Sequence, residues 1–382
     1  MKGLDVRLAP TQADILSTTI QTERKGPRPP EYGDHWTDPD ADRLLETVKE
    51  QRELIRKAAG GDAVRREFAL PGLALRATAW GEEAGGILCL AFEHLECAPG
   101  SARGTPFDWH IFDSSGIADL PEPPAPPRPL HPLGNLHRNE RNDLLVERRP
   151  GLVTTYEAAA RRFITIVEGG AAIDTDMAAK PLLRFLLLLT REAGIVMCHA
   201  ALVGGEERGM MITGRGGAGK STISSSALLG GAGFAGDDFI GLEKRDGKLF
   251  GHSLFSTLML SREQIGNFPA LRAHAVRFRS TRFDKYLVPL HRGFGGQIRR
   301  RLEVDAIAVP RIVARRGSAL RAGGKSAALR ALAPTSVFAS PWREASRAEF
   351  LLETATALPA MIYESGSELD RIFEPLQERY DF

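Results

Sequence analysis

Eight residues, Gly214-Arg-Gly-Gly-Ala-Gly-Lys220-Ser221, satisfy the pattern G-x-x-x-x-G-K-[S/T] completely. Four of the eight are glycine, so consecutive backbone N–H groups can turn inward and cradle phosphate oxygens. Lys220 would bring its charge to the β- and γ-phosphates of a nucleotide, and the Ser221 hydroxyl can ligate Mg²⁺. A helix starting there would also turn its positive N-terminus toward the phosphates. Gly214, Arg215, Gly216, Gly217, Ala218, Gly219, Lys220, Ser221 and Thr222 are therefore the candidate ATP-binding residues. The competing reading is a glycine-rich surface turn. The apolar run GMMIT before the loop and the helix-forming KSTISSSALL after it argue for the phosphate loop. A second Gly-Lys-Ser, at Gly324-Lys325-Ser326, has Ala319 where the first glycine is needed. No strand signal precedes it, and it reads as loop.

Asp237 and Asp238 follow Lys220 by 17 and 18 residues, at the start of a strand-like run. Adjacent carboxylates there can divide labour, one holding Mg²⁺ and the other accepting a proton from an attacking hydroxyl. The bland alternative is a solvated Asp-Asp turn. His199 precedes Lys220 by 21 residues, inside the apolar strand IVMCHAALV. It reads either as a hydrogen-bonded core histidine or as a partner of these carboxylates, Asp237 first. Lys285 and the run Arg299, Arg300 and Arg301 are further candidates for phosphate or acceptor contacts, against the reading of solvated charges.

These residues need elements to hold them. Residues 1–37 are polar and interrupted by Pro and Gly. Asp38-Pro39 reads as an N-cap and first helical position, followed by a helix to Ala59. VRREFAL and LALRATAW read as a hairpin turning at Pro71-Gly72, and GGILCLAFEHL and FDWHIFDS as two more strands. Residues 121–133 carry seven prolines and form a connector. LVTTYEAAA and RFITIVEGG resume strand patterning. AAKPLLRFLLLLTREAG reads as one helix, with Pro181 near its first turn and Gly194 past its end. IVMCHAALVG, GMMITG, FAGDDFIGLEK, GKLFGHSLFSTLML, RFDKYLVPL and RLEVDAIAVPRIVAR follow as strands, and Arg343–Leu358 and Leu369–Arg379 as helices. The expected partition is an irregular and helical segment over 1–60, a β-rich accessory domain over 61–177, and an α/β nucleotide-binding domain over 178–382.

The chain has 382 residues, 43% apolar, with net charge +2. No strongly basic surface points to nucleic acid. The three cysteines, Cys89, Cys97 and Cys198, form no C-x-x-C pair and suggest neither a disulfide framework nor a zinc site. The N-terminus lacks a signal-peptide core. The longest apolar run, Leu182–Leu189, is broken by Arg184 and far short of the roughly 20 residues a spanning helix needs. The expectation is a cytoplasmic protein without a membrane partner.

His199-Ala-Ala-Leu-Val203, ITGRGGAGKST (212–222) and GGAGFAGDDFI (230–240) together resemble the catalytic domain of the HPr kinase/phosphorylase family, in spacing as well as residue type. The specific part of the likeness is residues 195–242, and YESGSELDRI (363–372) resembles the family's C-terminal end. The resemblance implies an α/β phosphate-loop kinase fold of the HPr kinase/phosphoenolpyruvate carboxykinase type, with a β-rich N-terminal domain. It implies ATP and Mg²⁺ as cofactors and transfer of the γ-phosphoryl group to a serine of a protein or precursor peptide. By position it gives the catalytic roles to Asp237, Asp238, His199 and Lys220, and metal binding to Ser221 and Asp238. Two departures stand out. Thr222 replaces the family's glutamate after the loop. The nearest match to the family's E-[VI]-R-G-[LI]-G signature is Glu303-Val-Asp-Ala-Ile-Ala308, where Asp305-Ala306 replaces Arg-Gly. Glu303 reads either as a metal ligand or as a strand residue facing solvent, and the departures argue against HPr as acceptor and against the reverse reaction. A small-molecule kinase and a non-catalytic nucleotide switch are the alternatives, and a homo-oligomer is left open.

Overall fold

A computed structural model describes residues 36–37, 40–126, 130, 135–279, 284–333, 336 and 345–382. Residues 1–35 and the expected cap Asp38-Pro39 lie outside them, as does part of the proline-rich connector. The helix expected there runs Ala41–Ala58 and is preceded by Asp40.

The chain is mixed α/β, with two large sheets. The first has the strand order Trp36–Thr37, Asn135–Arg138, Leu144–Arg149, Leu152–Glu157, Arg162–Val167, Thr105–Asp113, Leu73–Trp80, Val64–Leu70 and Glu96–Cys97. Its hairpin turns at Pro71-Gly72, where Gly72 takes φ 71°, a left-handed conformation that glycine adopts without steric cost. Helix Ala41–Ala58 lays Ala41, Leu44, Val48 and Ile55 against Phe112, Val146 and Ile164 on one face. Each such buried Leu or Ile contributes about 1.5–3 kcal/mol. The other face, with Phe68, Trp109 and Phe163, continues into Phe185, Phe239 and Phe255 as one core. The described part of the connector is tied to the fold. Buried Gln51 donates to the Pro121 carbonyl at 2.8 Å, and Arg148 to that of Pro124 at 2.6 Å.

The second sheet has the order Val196–Cys198, Ile240–Arg245, Lys248–Ser253, Arg301–Ile312, Arg208–Thr213, Ala200–Gly204 and Gly233–Gly236. Ala360–Ser365 joins it alongside Arg301–Ile312, and Ala319–Ala322 pairs with Ala360–Ser365. Strand Arg208–Thr213 is central, parallel to Arg301–Ile312 and antiparallel to Ala200–Gly204. Helix Lys220–Leu229 covers it, burying Ile223, Ala227 and Leu228 with Met210, Ile212 and Phe234.

Several elements differ from the sequence reading. GGILCLAFEHL is a helix, Glu82–Cys89, running into a tighter turn, Leu90–Leu95. A short apolar run does not distinguish strand from buried helix. Here Gly85 lets the helix press on a strand, since a Cβ on it would lie 2.4 Å from that of Ala79. The helix expected around Pro181 is two helices, Thr175–Ala179 and Leu183–Glu192, joined through Lys180-Pro181-Leu182. Leu182 takes φ 57° there, a costly conformation for a residue with a Cβ. The second Gly-Lys-Ser is not loop. Strand Ala319–Ala322 leads into it, and Lys325 starts helix Lys325–Leu332. The final helix is a single turn, Leu369–Arg371, and then Glu374–Tyr380. GKLFGHSLFSTLML splits into strands Lys248–Ser253 and Thr257–Ser261, which belong to different sheets, and two further expected strands are interrupted. IVMCHAALVG breaks at His199 and FAGDDFIGLEK breaks at Asp237–Phe239.

Candidate functional site

Those two interruptions meet. Ala200–Gly204 pairs with Arg208–Thr213 so that Ala200 lies opposite Thr213, which puts His199 beside the start of the glycine loop. Gly233–Gly236 pairs with the same strand and ends with Gly236 opposite Leu202, which delivers Asp237 and Asp238 to that edge. Val196–Cys198 and Ile240–Arg245 then pair with each other beyond the break. The three residues sit where chain segments change partner strands, free of the alternation that a continuous strand imposes.

The loop itself lies between Thr213 and the helix beginning at Lys220. Gly217 and Gly219 adopt φ 79° and 101°. A Cβ at Gly216 or Gly217 would meet nothing within 4 Å, so the loop faces open space. Lys220 is 8% exposed, and its Nζ donates to the Gly214 carbonyl at 2.8 Å. Burial lowers its pKa, against the pull of Asp238 and Asp237. Thr222 Oγ1 accepts from Gln264 Nε2 at 3.5 Å.

Next to the loop is a small cleft. Its polar side is formed by Lys180, Ser221, Asp237, Asp238 and Lys285, and its apolar side includes Phe239, Phe255 and Met259. Asp237 is buried. The Ser224 hydroxyl donates to its Oδ1, and Ser221 lines the same cleft. Burial nevertheless raises its pKa, helped by the negative charge of Asp238. Asp238 is the more exposed carboxylate, with 29% of its side chain accessible. His199 Nε2 lies 2.7 Å from its Oδ1, and the Lys180 ammonium pairs with its Oδ2. Burial alone would raise its pKa, but Lys180 and His199 hold it well below the usual carboxylate range. The surroundings thus push the two neighbouring carboxylates in opposite directions.

Several expectations change with this geometry. His199 is the partner of Asp238, not of Asp237. Asp237, not Asp238, is the carboxylate tied to the helix that follows the loop, through Ser224. Glu303 pairs in register with Arg208, at the far end of the strand that leads into the loop. That is about 16 Å of strand at roughly 3.3 Å per residue. Its carboxylate takes Lys248 Nζ at 2.6 Å, so it is no ligand of this site. Strand patterning told which face a residue occupies, not its height relative to the loop. Arg299 pairs with Glu206 at 2.5 Å, and Arg301 lies over the Phe250 ring at 4.6 Å. Neither lines the cleft, nor does Arg300, whereas Lys285 does. Asp305 is engaged by the C-terminal helix, accepting from the Tyr380 hydroxyl at 2.5 Å and facing Arg379 at 3.4 Å. The Glu303–Ala308 stretch is therefore not a cleft signature. An Arg-Gly pair does occur earlier, in Arg292-Gly293-Phe294-Gly295, where Arg292 makes a two-pronged pair with Glu93 at 3.1 and 2.6 Å.

Lys180 and Ser224 were not singled out from sequence. Lys180 had a local signal, since Asp176 stands four residues before it and pairs with it at 3.1 Å. Among the described residues, no group of three or more His, Cys, Asp and Glu could hold a metal ion. No helix among them is long and apolar enough to cross a membrane.

No family model matches the chain, and no curated protein matches it. Among solved structures it is similar to the Hpr(Ser) kinase/phosphatase from Coxiella burnetii, at 19% identity. That match covers 31% of this chain and 59% of that one, with a TM-score of 0.22. The chain spans about three fifths of that relative's length, and a TM-score of this size does not establish a common fold.

Proposed function

We propose that the chain is an ATP-dependent kinase that transfers the γ-phosphoryl group to a hydroxyl, most simply a serine of a protein or peptide, on a phosphate-loop fold of the HPr kinase type. One observation carries the reading. A carboxylate held as an anion by His199 and Lys180 opens into the same cleft as Ser221 and Asp237, beside the glycine loop. A nucleotide switch needs the loop alone, and nothing in it calls for a second, separately braced carboxylate.

The residues fit the nucleotide. The glycines turn the backbone, open space lies over Gly216 and Gly217, and Lys220 starts the helix. They also fit Mg²⁺, which keeps several waters and uses one or two carboxylates with the phosphates, so a three-residue cage is not required. Ser221 and Asp237 would hold it. When bound, Mg·ATP supplies the phosphoryl group, and the metal neutralises its charge. The chain's own contribution is positional and electrostatic. Lys220 and the loop amides orient the phosphates. Asp238, the accessible carboxylate, receives the acceptor's hydroxyl and accepts its proton late in transfer. His199 and Lys180 keep Asp238 aimed. Phe239, Phe255 and Met259 exclude water from the cleft's far wall.

The test is incubation of the full chain with Mg·ATP and candidate acceptors, HPr included, followed by mass spectrometry. A phosphorylated serine on a protein or peptide supports the reading. A labelled small molecule moves it to a small-molecule kinase. ATP binding with no transfer to any acceptor and no slow hydrolysis overturns it in favour of a switch. Asp305 is engaged by the C-terminal helix and does not line the cleft, so HPr belongs among the acceptors tested.

A further inference from the structure

Lys180 does not stand alone behind Asp238. Its ammonium also pairs with Asp176 Oδ1 at 3.1 Å, and Asp176 faces Arg149 at 3.6 Å. Arg149 lies at the end of strand Leu144–Arg149 in the first sheet and also pairs with Glu147 at 3.1 Å and Asp174 at 3.4 Å. Glu147 in turn faces Arg184 at 3.7 Å. Arg149 and Glu147 are 7% and 2% exposed, and Lys180 8%. The result is an unbroken run of alternating charges from the first sheet to the reacting carboxylate.

Such a run is a poor way to gain stability. Burying ions costs several kcal/mol each, and replacing a buried pair with well-packed apolar groups is often neutral or stabilising. What it does confer is geometry, because each charge is located by two opposite neighbours. The backbone beside Lys180 is constrained too. Leu182 holds φ 57° though buried, and the Asp174 carboxylate, which also pairs with Arg149, caps the short helix through Met177 N at 2.8 Å. The bend that presents Lys180 is therefore braced from both sides.

We propose that Lys180 is a positioning residue for Asp238, and that Asp176 and Arg149 hold Lys180, so that the first sheet supplies the outer support of the reacting centre. The first sheet then acts on the rate of transfer as well as on any choice of acceptor. The inference rests on the kinase reading for its catalytic consequence, but not for its geometric one.

Two measurements test it on the full chain. The first is steady-state kinetics of Lys180→Met, Asp176→Asn and Arg149→Met. The expected outcome is kcat lower by roughly 10²-fold for Lys180→Met, as for a misplaced reacting group, and by about 10-fold for the two outer changes, as for outer supports of a site. KM for ATP should stay within about twofold, because only the transition state is affected. Lys180→Arg should recover part of the loss. Arg66→Met, which breaks an ion pair with Glu96 on the far edge of the first sheet, should change neither constant. The second is the ¹⁵N resonance of His199 Nε2 at fixed pH without nucleotide, assigned by loss in His199→Gln. It should move in each network variant and not in Arg66→Met. Folded Lys180→Met and Asp176→Asn proteins with wild-type kcat and an unmoved His199 resonance overturn the proposal. Should Arg149→Met fail to fold, Asp176→Asn decides, since that residue is 26% exposed. If the wild-type chain transfers no phosphate at all, the kinase reading falls, and the resonance alone decides whether the first sheet positions Asp238.

Discussion

The chain contains the sequence strand–Gly–Lys–Ser–helix twice. In the first instance Arg208–Thr213 leads through Gly214–Gly219 into helix Lys220–Leu229. In the second, Ala319–Ala322 leads through Gly323–Gly324 into helix Lys325–Leu332. Residue types at the helix start are the same, yet the surroundings are opposite. The first strand is central, flanked by Ala200–Gly204 and Arg301–Ile312, so neighbouring chain ends converge on its loop. Among the described residues, the second is paired with Ala360–Ser365 alone. The first connector has six residues and places Gly217 and Gly219 at positive φ, whereas Gly324 sits at φ −90°, a conformation open to any residue. A helix N-terminus and a lysine do not make a phosphate site. Connector length and convergence of neighbours set the proposed site apart from the second motif.

Matched substitutions in the two regions would break or sharpen this contrast. The largest effect is expected from phosphoryl transfer itself. Asp238→Asn should slow it by roughly 10²–10⁴-fold, the range for lost acid–base participation, while ATP affinity changes little. Single-turnover kinetics alongside calorimetric titration separates the two. A wild-type rate would remove Asp238 from the chemistry. Next, Lys220→Ala should weaken Mg·ATP binding by about 10²-fold or more, since it removes charge-assisted hydrogen bonds worth about 1.5–3 kcal/mol each. Lys325→Ala should leave affinity untouched. Equal losses in the two would make the second motif a site as well.

A smaller effect separates the backbones. Gly219→Ser should destabilise the chain by about 1–2 kcal/mol, the cost of a left-handed conformation for a residue with a Cβ. Gly324→Ser should be neutral or gain a few tenths of a kcal/mol by capping helix Lys325–Leu332. Urea unfolding without nucleotide measures both, and a tolerated Gly219→Ser would mean the loop does not need its left-handed turn. The smallest effect is expected at Glu303. Glu303→Gln breaks only its half-exposed pair with Lys248, worth about 0–1 kcal/mol, and should leave the Mg²⁺ dependence of transfer unchanged. A raised Mg²⁺ requirement in this variant would return Glu303 to the site.

Local pattern carried the strand and helix on either side of the glycine loop, the hairpin at Pro71-Gly72 and helix Ala41–Ala58. Each depends on residues a few positions apart, whose turn chemistry and apolar spacing act before any long-range contact forms. The same locality explains the misreadings. GGILCLAFEHL offers apolar residues without a period, and its helix is decided by the close approach of Gly85 to Ala79 across the sheet. The strands around His199 and Asp237 read correctly as apolar runs, but their breaks are set by which neighbouring strand each half pairs with.

His199, Lys220, Ser221, Asp237 and Asp238 were all legible as candidates, because their types and order along the chain are written in it. Their division of labour was not. Which aspartate meets Ser224 and which meets His199 follows from side-chain direction at the ends of Gly233–Gly236 and Ala200–Gly204, where adjacent residues point apart. Lys180 reaches Asp238 from 58 positions earlier, and Arg149 stands behind it in another sheet. Charges so far apart in sequence become neighbours only when the two sheets share one core, and the distance between them is set by the packing of every residue in between.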